Sequence, residues 1–315
     1  MNSNRSRVGD ATYPSGTAAV RSRLRRVTWY VANAFVAILA VAVCLGTGAA
    51  WASPHAPGQI RRALAVWVHF PVNASNRPVV LIGDDNVNAP SGGFSDNDYK
   101  IAFLDGSITT PTDFPSGPAS ADQLPVMSAA EAFGLLHGQP GKVPTADMRL
   151  NVTSIDFGTG LFQTDRGVRR LPAWLFSFQG VQNPAEVLAV SRTALFSPRQ
   201  VGYRESTVAA TLGPNDRTLT VSFAGAPAGN GPCDASYAMD VAESKTAVAV
   251  WVHGVVTNRS AQPTSTDVSR TTIPVACALP AYPRHLTTSL PGPLGNRVVV
   301  DAFSLAAVPV TRVSR

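Results

Sequence analysis

The stretch 161–178, LFQTDRGVRRLPAWLFSF, decides how this chain folds. Residues 161–164 run into Asp165-Arg166-Gly167, and 171–178 return with large apolar side chains. A glycine just after two polar residues supplies the positive φ that a tight hairpin turn needs. Two antiparallel strands are therefore expected on either side of that turn. Upstream, 148–157 alternates apolar and polar residues as a half-buried strand does, and 186–190 reads as one more strand.

Working outward toward the C-terminus, 194–206 reads as a junction and a second strand run opens at 218–223. It continues through 237–243, 246–256, 268–277, 286–290 and 297–302, with Gly/Pro-rich links at 225–232 and 278–283. Short strands separated by turn signals point to a small antiparallel sandwich or barrel-like sheet. Toward the N-terminus the pattern is mixed. Ser128 with Glu131 three residues on is a capping box, opening a helix over 129–136 that buries Ala129, Phe133 and Leu136. Gly138 and Pro140 stop it. Residues 77–82 and 99–104 read as short strands, and the proline-rich segment 105–126 as loop.

Residues 59–70, QIRRALAVWVHF, fit two periods. Ile60, Leu64 and Trp67 suit a helix, whereas Leu64, Val66, Val68 and Phe70 alternate as in a strand. The heptapeptide 63–69, ALAVWVH, nearly recurs at 247–253 as AVAVWVH. Helix is preferred for the first copy and strand for the second. The fold class expected is α+β with β dominant: a mixed N-terminal module over 59–200 and an antiparallel, β-sandwich-like module over 205–312.

The uncharged run from Val27 to Trp51 sets the compartment. It is long enough to cross a hydrocarbon core about 30 Å thick as one helix. Arg21, Arg23, Arg25 and Arg26 precede it and should stay in the cytoplasm, which delivers everything after Trp51 outside. Residues 1–26 then form a cytoplasmic tail of low hydrophobicity. Two alternatives stand beside an uncleaved anchor. Ala50-Trp51-Ala52 offers a signal-peptidase site, so cleavage at Ala52 would release a secreted protein. Val41-Ala42-Val43-Cys44 offers a poor lipobox, with a bulky valine before the cysteine.

The formal charge of +6 belongs mostly to that leader, because residues 1–52 hold six arginines and one acid, a net of +5. The exported part carries +1 and no cluster of basic residues interleaved with aromatics, so nucleic acid is excluded as a partner. Only three lysines accompany 23 arginines, a bias typical of high-GC bacterial genomes. Cys233 and Cys277 both fall in the exported part, where an oxidising compartment favours a disulfide between them.

Catalytic motifs are missing. No Gly-x-Ser-x-Gly elbow, Ser-x-x-Lys set or His-Glu-x-x-His occurs, and the five histidines are scattered singly. A metal candidate is the acidic loop 83–98: Asp84, Asn86 and Asn88 match the first ligand positions of a calcium loop, and Asp96 and Asp98 could complete it. Ala89 in place of the turn glycine, and Ser95 in place of the bidentate glutamate, argue for a solvated turn instead. Trp174 with Phe176, and Trp251 with Tyr237, could form aromatic strips for sugar rings, or pack in the core.

The pieces TDRG (164–167), LPAW (171–174), GPC (231–233), ES (243–244) and PLGNR (293–297) resemble uncharacterised actinobacterial secreted proteins and lipoproteins. The resemblance spans 71–302 and implies export and a β-rich ectodomain with the Cys233–Cys277 pair. It implies no activity. The expectation is a membrane-anchored envelope protein whose ectodomain binds or positions an envelope protein or a cell-wall component. The alternative is a secreted hydrolase acting on cell-wall material, which would bring Asp165, Asp240 or Glu243 beside a histidine in a pocket.

Overall fold

The computed structural model describes residues 58–83, 86–136, 149–198, 206–229, 233–255 and 281–313. Residues 27–51, the expected anchor, lie outside them, and among the described residues no helix is long and apolar enough to cross a membrane. Three helices are described: α1 (Gly58–Val66), α2 (Asn97–Leu104) and α3 (Ala129–Leu136). The strands of the first half are β1 (Val87–Asn88), β2 (Ile108–Thr109), β3 (Ser120–Ala121), β4 (Leu124–Pro125), β5 (Leu150–Thr164), β6 (Gly167–Phe178) and β7 (Ala185–Leu188). Those of the second are β8 (Val208–Leu212), β9 (Thr218–Gly225), β10 (Ser236–Glu243), β11 (Ala247–Val255), β12 (Tyr282–Ser289), β13 (Val298–Asp301) and β14 (Val310–Arg312). The chain is α+β with β dominant and its sheets are mostly antiparallel.

The hairpin expected at 161–178 is the spine of the first sheet, whose strand order is β1-β7-β6-β5-β2. Thr164 pairs with Gly167 across a two-residue turn, and Gly167 takes φ +76°. Thr164 Oγ1 locks the turn by accepting from Arg166 N at 3.1 Å and donating to Gly167 O at 2.7 Å. β5 is one strand through Gly158 and Gly160, where the sequence suggested two, because side chains from β6 and β7 need that space. A Cβ on Gly158 would sit 2.9 Å from Leu175, and one on Gly160 2.6 Å from Glu186. One face of the sheet buries Trp174, Phe176, Phe178 and Val187 against Ala102 of α2 and Ala129, Ala132 and Phe133 of α3. α3 and its capping box match the expectation: Ser128 N donates to Glu131 Oε2 at 2.8 Å, and Glu131 N to Ser128 Oγ at 3.2 Å.

Residues 99–104, expected as a strand, are instead the body of α2. Asp96 decides this: its side chain accepts from Asp98 N at 2.7 Å and caps the helix. Residues 77–82 make only isolated bridges, Val79 to Leu195 and Leu81 to Thr164.

The second half builds two sheets, β10-β11-β13 and β12-β9-β8-β14. They pack face to face through Leu212, Leu219, Val221, Val248, Val250, Val299 and Val310. β8 and β14 were not read from the sequence. β8 pairs antiparallel with β9, the strand that follows it, and β14 joins β8 in parallel from almost a hundred residues further on. The back of the β10-β11-β13 sheet is covered by α1. Ile60, Ala63, Leu64 and Trp67, at helical spacing, meet Ala247, Ala249, Val298 and Val300. The two near-identical heptapeptides therefore lie in one core, the first as helix and turn, the second as strand. Gln59-Ile60-Arg61-Arg62 extends the helical stripe of the first copy, while the second is bounded by the turn after Glu243 and paired along its length with β10. Contacts thus cross the 200–205 boundary expected from the sequence, and the described residues fall in one compact unit.

Candidate functional site

Three of the motif pieces singled out from the sequence, TDRG, ES and PLGNR, meet around the β5–β6 turn. Asp165 is 2% exposed and receives both ends of the Arg77 guanidinium, Nη1 donating to Oδ1 at 3.1 Å and Nη2 pairing with Oδ2. Arg77 Nε donates to Asn296 O at 3.0 Å. Arg166 Nη2 donates to Gly295 O at 2.8 Å and Arg297 O at 3.0 Å. Arg297 pairs with Glu243, and Arg312 with Asp216, whose Oδ2 also accepts from Gly295 N at 2.9 Å. These groups clamp the first sheet to the sandwich. Burial, with Arg77 as the next cause, pulls Arg166 down from its ordinary value to about 10. Arg166 Nη1 and Glu243 Oε1 are buried without a hydrogen bond. Among the described residues no histidine enters this network, and Asp165 and Glu243 act here as ion-pair partners.

Asp240 does meet a histidine. β10 and β11 pair so that Asp240 faces Trp251 and Ala238 faces His253, all on the α1 side of their sheet. His253 Nε2 lies 3.3 Å from Asp240 Oδ2, and its ring stacks on Trp251 with centroids 4.5 Å apart. The contact lacks hydrogen-bond geometry, and half of the Asp240 side chain is open to solvent. Tyr237 points to the opposite face, against Phe223, so Trp251 and Tyr237 do not form a strip. Trp174 and Phe176 are core residues at 1% and 0% exposure.

The second histidine pair was not foreseen. His285 on β12 faces Ser222 on β9, with Ser222 Oγ and His285 Nδ1 2.9 Å apart on the exposed face of the sheet. The residues lie 63 positions apart, so only strand register reveals them.

The calcium candidates serve other ends. Asp84 lies outside the described residues. Asn88 Nδ2 donates to Leu161 O at 2.8 Å and Glu186 Oε2 at 3.0 Å, tying β1 to the first sheet. The carbonyl of Asn86 accepts from Leu188 N at 2.8 Å. Asp96 caps α2, and Asp98 is exposed in that helix's first turn. No group of three or more metal-ligating His, Cys, Asp or Glu side chains gathers among the described residues. Cys233 is disulfide-bonded, and Cys277, its expected partner, lies outside the described residues.

Among the described residues, two clefts border the first half of the chain. One, of about 430 Å³, lies between 114–119 and 126–130. The other, of about 290 Å³, is bordered by Asn76, Arg77, Gln123 and Thr193. Neither is lined by a carboxylate or a histidine. No protein-family model matches the chain, and neither a curated protein nor a solved structure does so.

Proposed function

We propose that the chain is a membrane-anchored envelope protein, cytoplasmic at its N-terminus, whose extracytoplasmic domain binds or positions a cell-wall component without chemistry of its own. One observation carries the reading. The two histidine pairs, Asp240–His253 half-open on the α1 side of one sheet and Ser222–His285 on the exposed face of another, lie apart, and both described clefts lack a general acid or base. Open sheet surfaces with polar side chains already paired suit contact with a large ligand better than turnover of a small one. Sedimentation of the full-length protein with isolated cell-wall sacculi tests this. Co-pelleting that leaves the wall material intact is the expected result.

The hydrolase reading draws on the 3.3 Å approach of Asp240 to His253. Release of soluble wall fragments, abolished by His253→Ala, would establish it in place of the binding reading. The anchor is tested separately: the full chain should stay with membranes through an alkaline carbonate wash, whereas a chain cleaved at Ala52 would leave with the soluble fraction.

A further inference from the structure

We propose that the outer face of the β12-β9-β8-β14 sheet is the binding surface, and that its ligand is a neutral, hydroxyl-bearing polysaccharide. The assignment rests on the binding reading above and names its surface and ligand class. Strand register carries it. Thr311 on β14 pairs with Thr211 on β8, Thr211 with Thr220 on β9, and Thr220 with Thr287 on β12. One threonine from each of the four strands therefore forms a straight row across the sheet, neighbours about 4.8 Å apart. Two residues along the strands, about 7 Å away, parallel rows hold Ser222 with His285 and Thr218 with Ser289. All share the parity opposite to Leu212, Leu219, Val221 and Val310, which face the sandwich core, and all are half-buried or exposed.

The face carries no permanently charged side chain. No Asp, Glu, Lys or Arg projects from it in these four strands. Arg284 has the inward parity, with its guanidinium over Tyr237 and Nη1 donating to Ala226 O. Arg312 has the parity of Leu212 and is paired with Asp216. A polyanion would find no Lys or Arg here, and no Phe, Tyr or Trp ring among the described residues offers a stacking platform. What remains is a lattice of donors and acceptors. Thr220 Oγ1 and Thr287 Oγ1 are 3.0 Å apart, a bond that uses one hydrogen and one lone pair. One hydroxyl hydrogen and three lone pairs of that couple stay available. A chain of β-linked pyranose units repeats at close to the spacing of neighbouring strands, so each sugar can meet one strand. The rigid sheet has already ordered these side chains, which reduces the entropy lost on binding. The row is walled at β14 by the turn at Gly167, where a Cβ would sit 3.5 Å from Thr311 Oγ1.

Retention of the full-length protein on insoluble β-1,4-glucan and on a neutral galactan, against polygalacturonate as the charged comparison, tests the assignment. Thr220→Val/Thr287→Val keeps shape and strand propensity while removing two hydroxyls. Wild-type protein should be held by a neutral matrix through a high-salt wash. The double variant should lose about tenfold in retention, the equivalent of two neutral hydrogen bonds, with an unchanged unfolding midpoint. No retention of wild type on either neutral matrix would overturn the assignment, as would equal retention of the variant or a salt-sensitive preference for polygalacturonate. Sacculi that still pellet the double variant as well as wild type would leave the binding reading standing and remove this surface from it.

Discussion

Replacing Asp165 by asparagine removes a charge while keeping the shape of the side chain. The carboxylate is 2% exposed, takes both ends of Arg77 and lies 3.8 Å from Arg166 Nε. Asparagine would leave two guanidinium groups facing each other, with side-chain exposures of 15% and 17% and no counter-charge between them. Breaking a buried pair by removing one partner costs about 3–5 kcal/mol, because the other charge stays desolvated. The residual exposure of both arginines lets water reach part of that charge, which places the expected loss near the lower end, about 3 kcal/mol. Domains of this kind are stable by about 5–15 kcal/mol, so the loss should be plain in urea unfolding followed by tryptophan fluorescence, as a midpoint shift of about 1 M. Arg77→Gln on top of Asp165→Asn removes one stranded cation and should recover about 1–2 kcal/mol relative to simple additivity. A shift for Asp165→Asn below about 0.3 M, or strict additivity in the double variant, would refute the view that these charges clamp the sheet to the sandwich.

Arg166 should show the opposite pH dependence to a stabilising ion pair. Its folded pKa, pulled to about 10, lies below that of the free group, so the unfolded chain binds the proton more tightly between those values. The stability of wild type relative to Arg166→Gln should therefore rise as pH climbs through about 10, a trend read from urea midpoints of both proteins. The capping box behaves as a carboxylate site: hydrogen bonds from Ser128 hold Glu131 below its ordinary 4.5. Its contribution is present above that value and lost as pH falls through the lower folded value. Ser128→Ala should cost about 1 kcal/mol at neutral pH, and the gap from wild type should narrow in acid, as thermal melts at both pH values would show. Trp67→Phe removes the indole N–H that donates to Leu305 O at 3.0 Å and strands a buried carbonyl. A loss of about 1–3 kcal/mol is expected in equilibrium unfolding, and a change under about 0.5 kcal/mol would mean the turn at 301–305 relaxes to water.

Local signals in this chain belong to elements whose chemistry closes over a few residues. The Asp165-Arg166-Gly167 turn, the Ser128/Glu131 box and the period-2 runs were legible because each structure is settled by neighbours in sequence. The strand expected over 99–104 failed for the same reason: Asp96, offered by the sequence as a possible metal ligand, spends an oxygen on capping the next helix, and 99–104, apolar enough for a strand, follow the cap instead.

The sequence by itself determined the β-dominant class, the hairpin and the capped helix, since hydrophobic period, turn glycine and cap are all local quantities. Only the tertiary structure decided which distant residues became neighbours. ALAVWVH is helix and turn at one end of the chain, and AVAVWVH is strand at the other, because the first covers a sheet that the second helps to build. Thr211, Thr220, Thr287 and Thr311 form one row only through three strand registers, one of them parallel. Arg77, Asp165, Arg166, Glu243 and Arg297 converge only when the hairpin turn meets the loop before β13. Pairings between strands far apart in sequence leave no periodic trace in either segment alone, and the cross-strand neighbours of a side chain are set by the register that buries the opposite face.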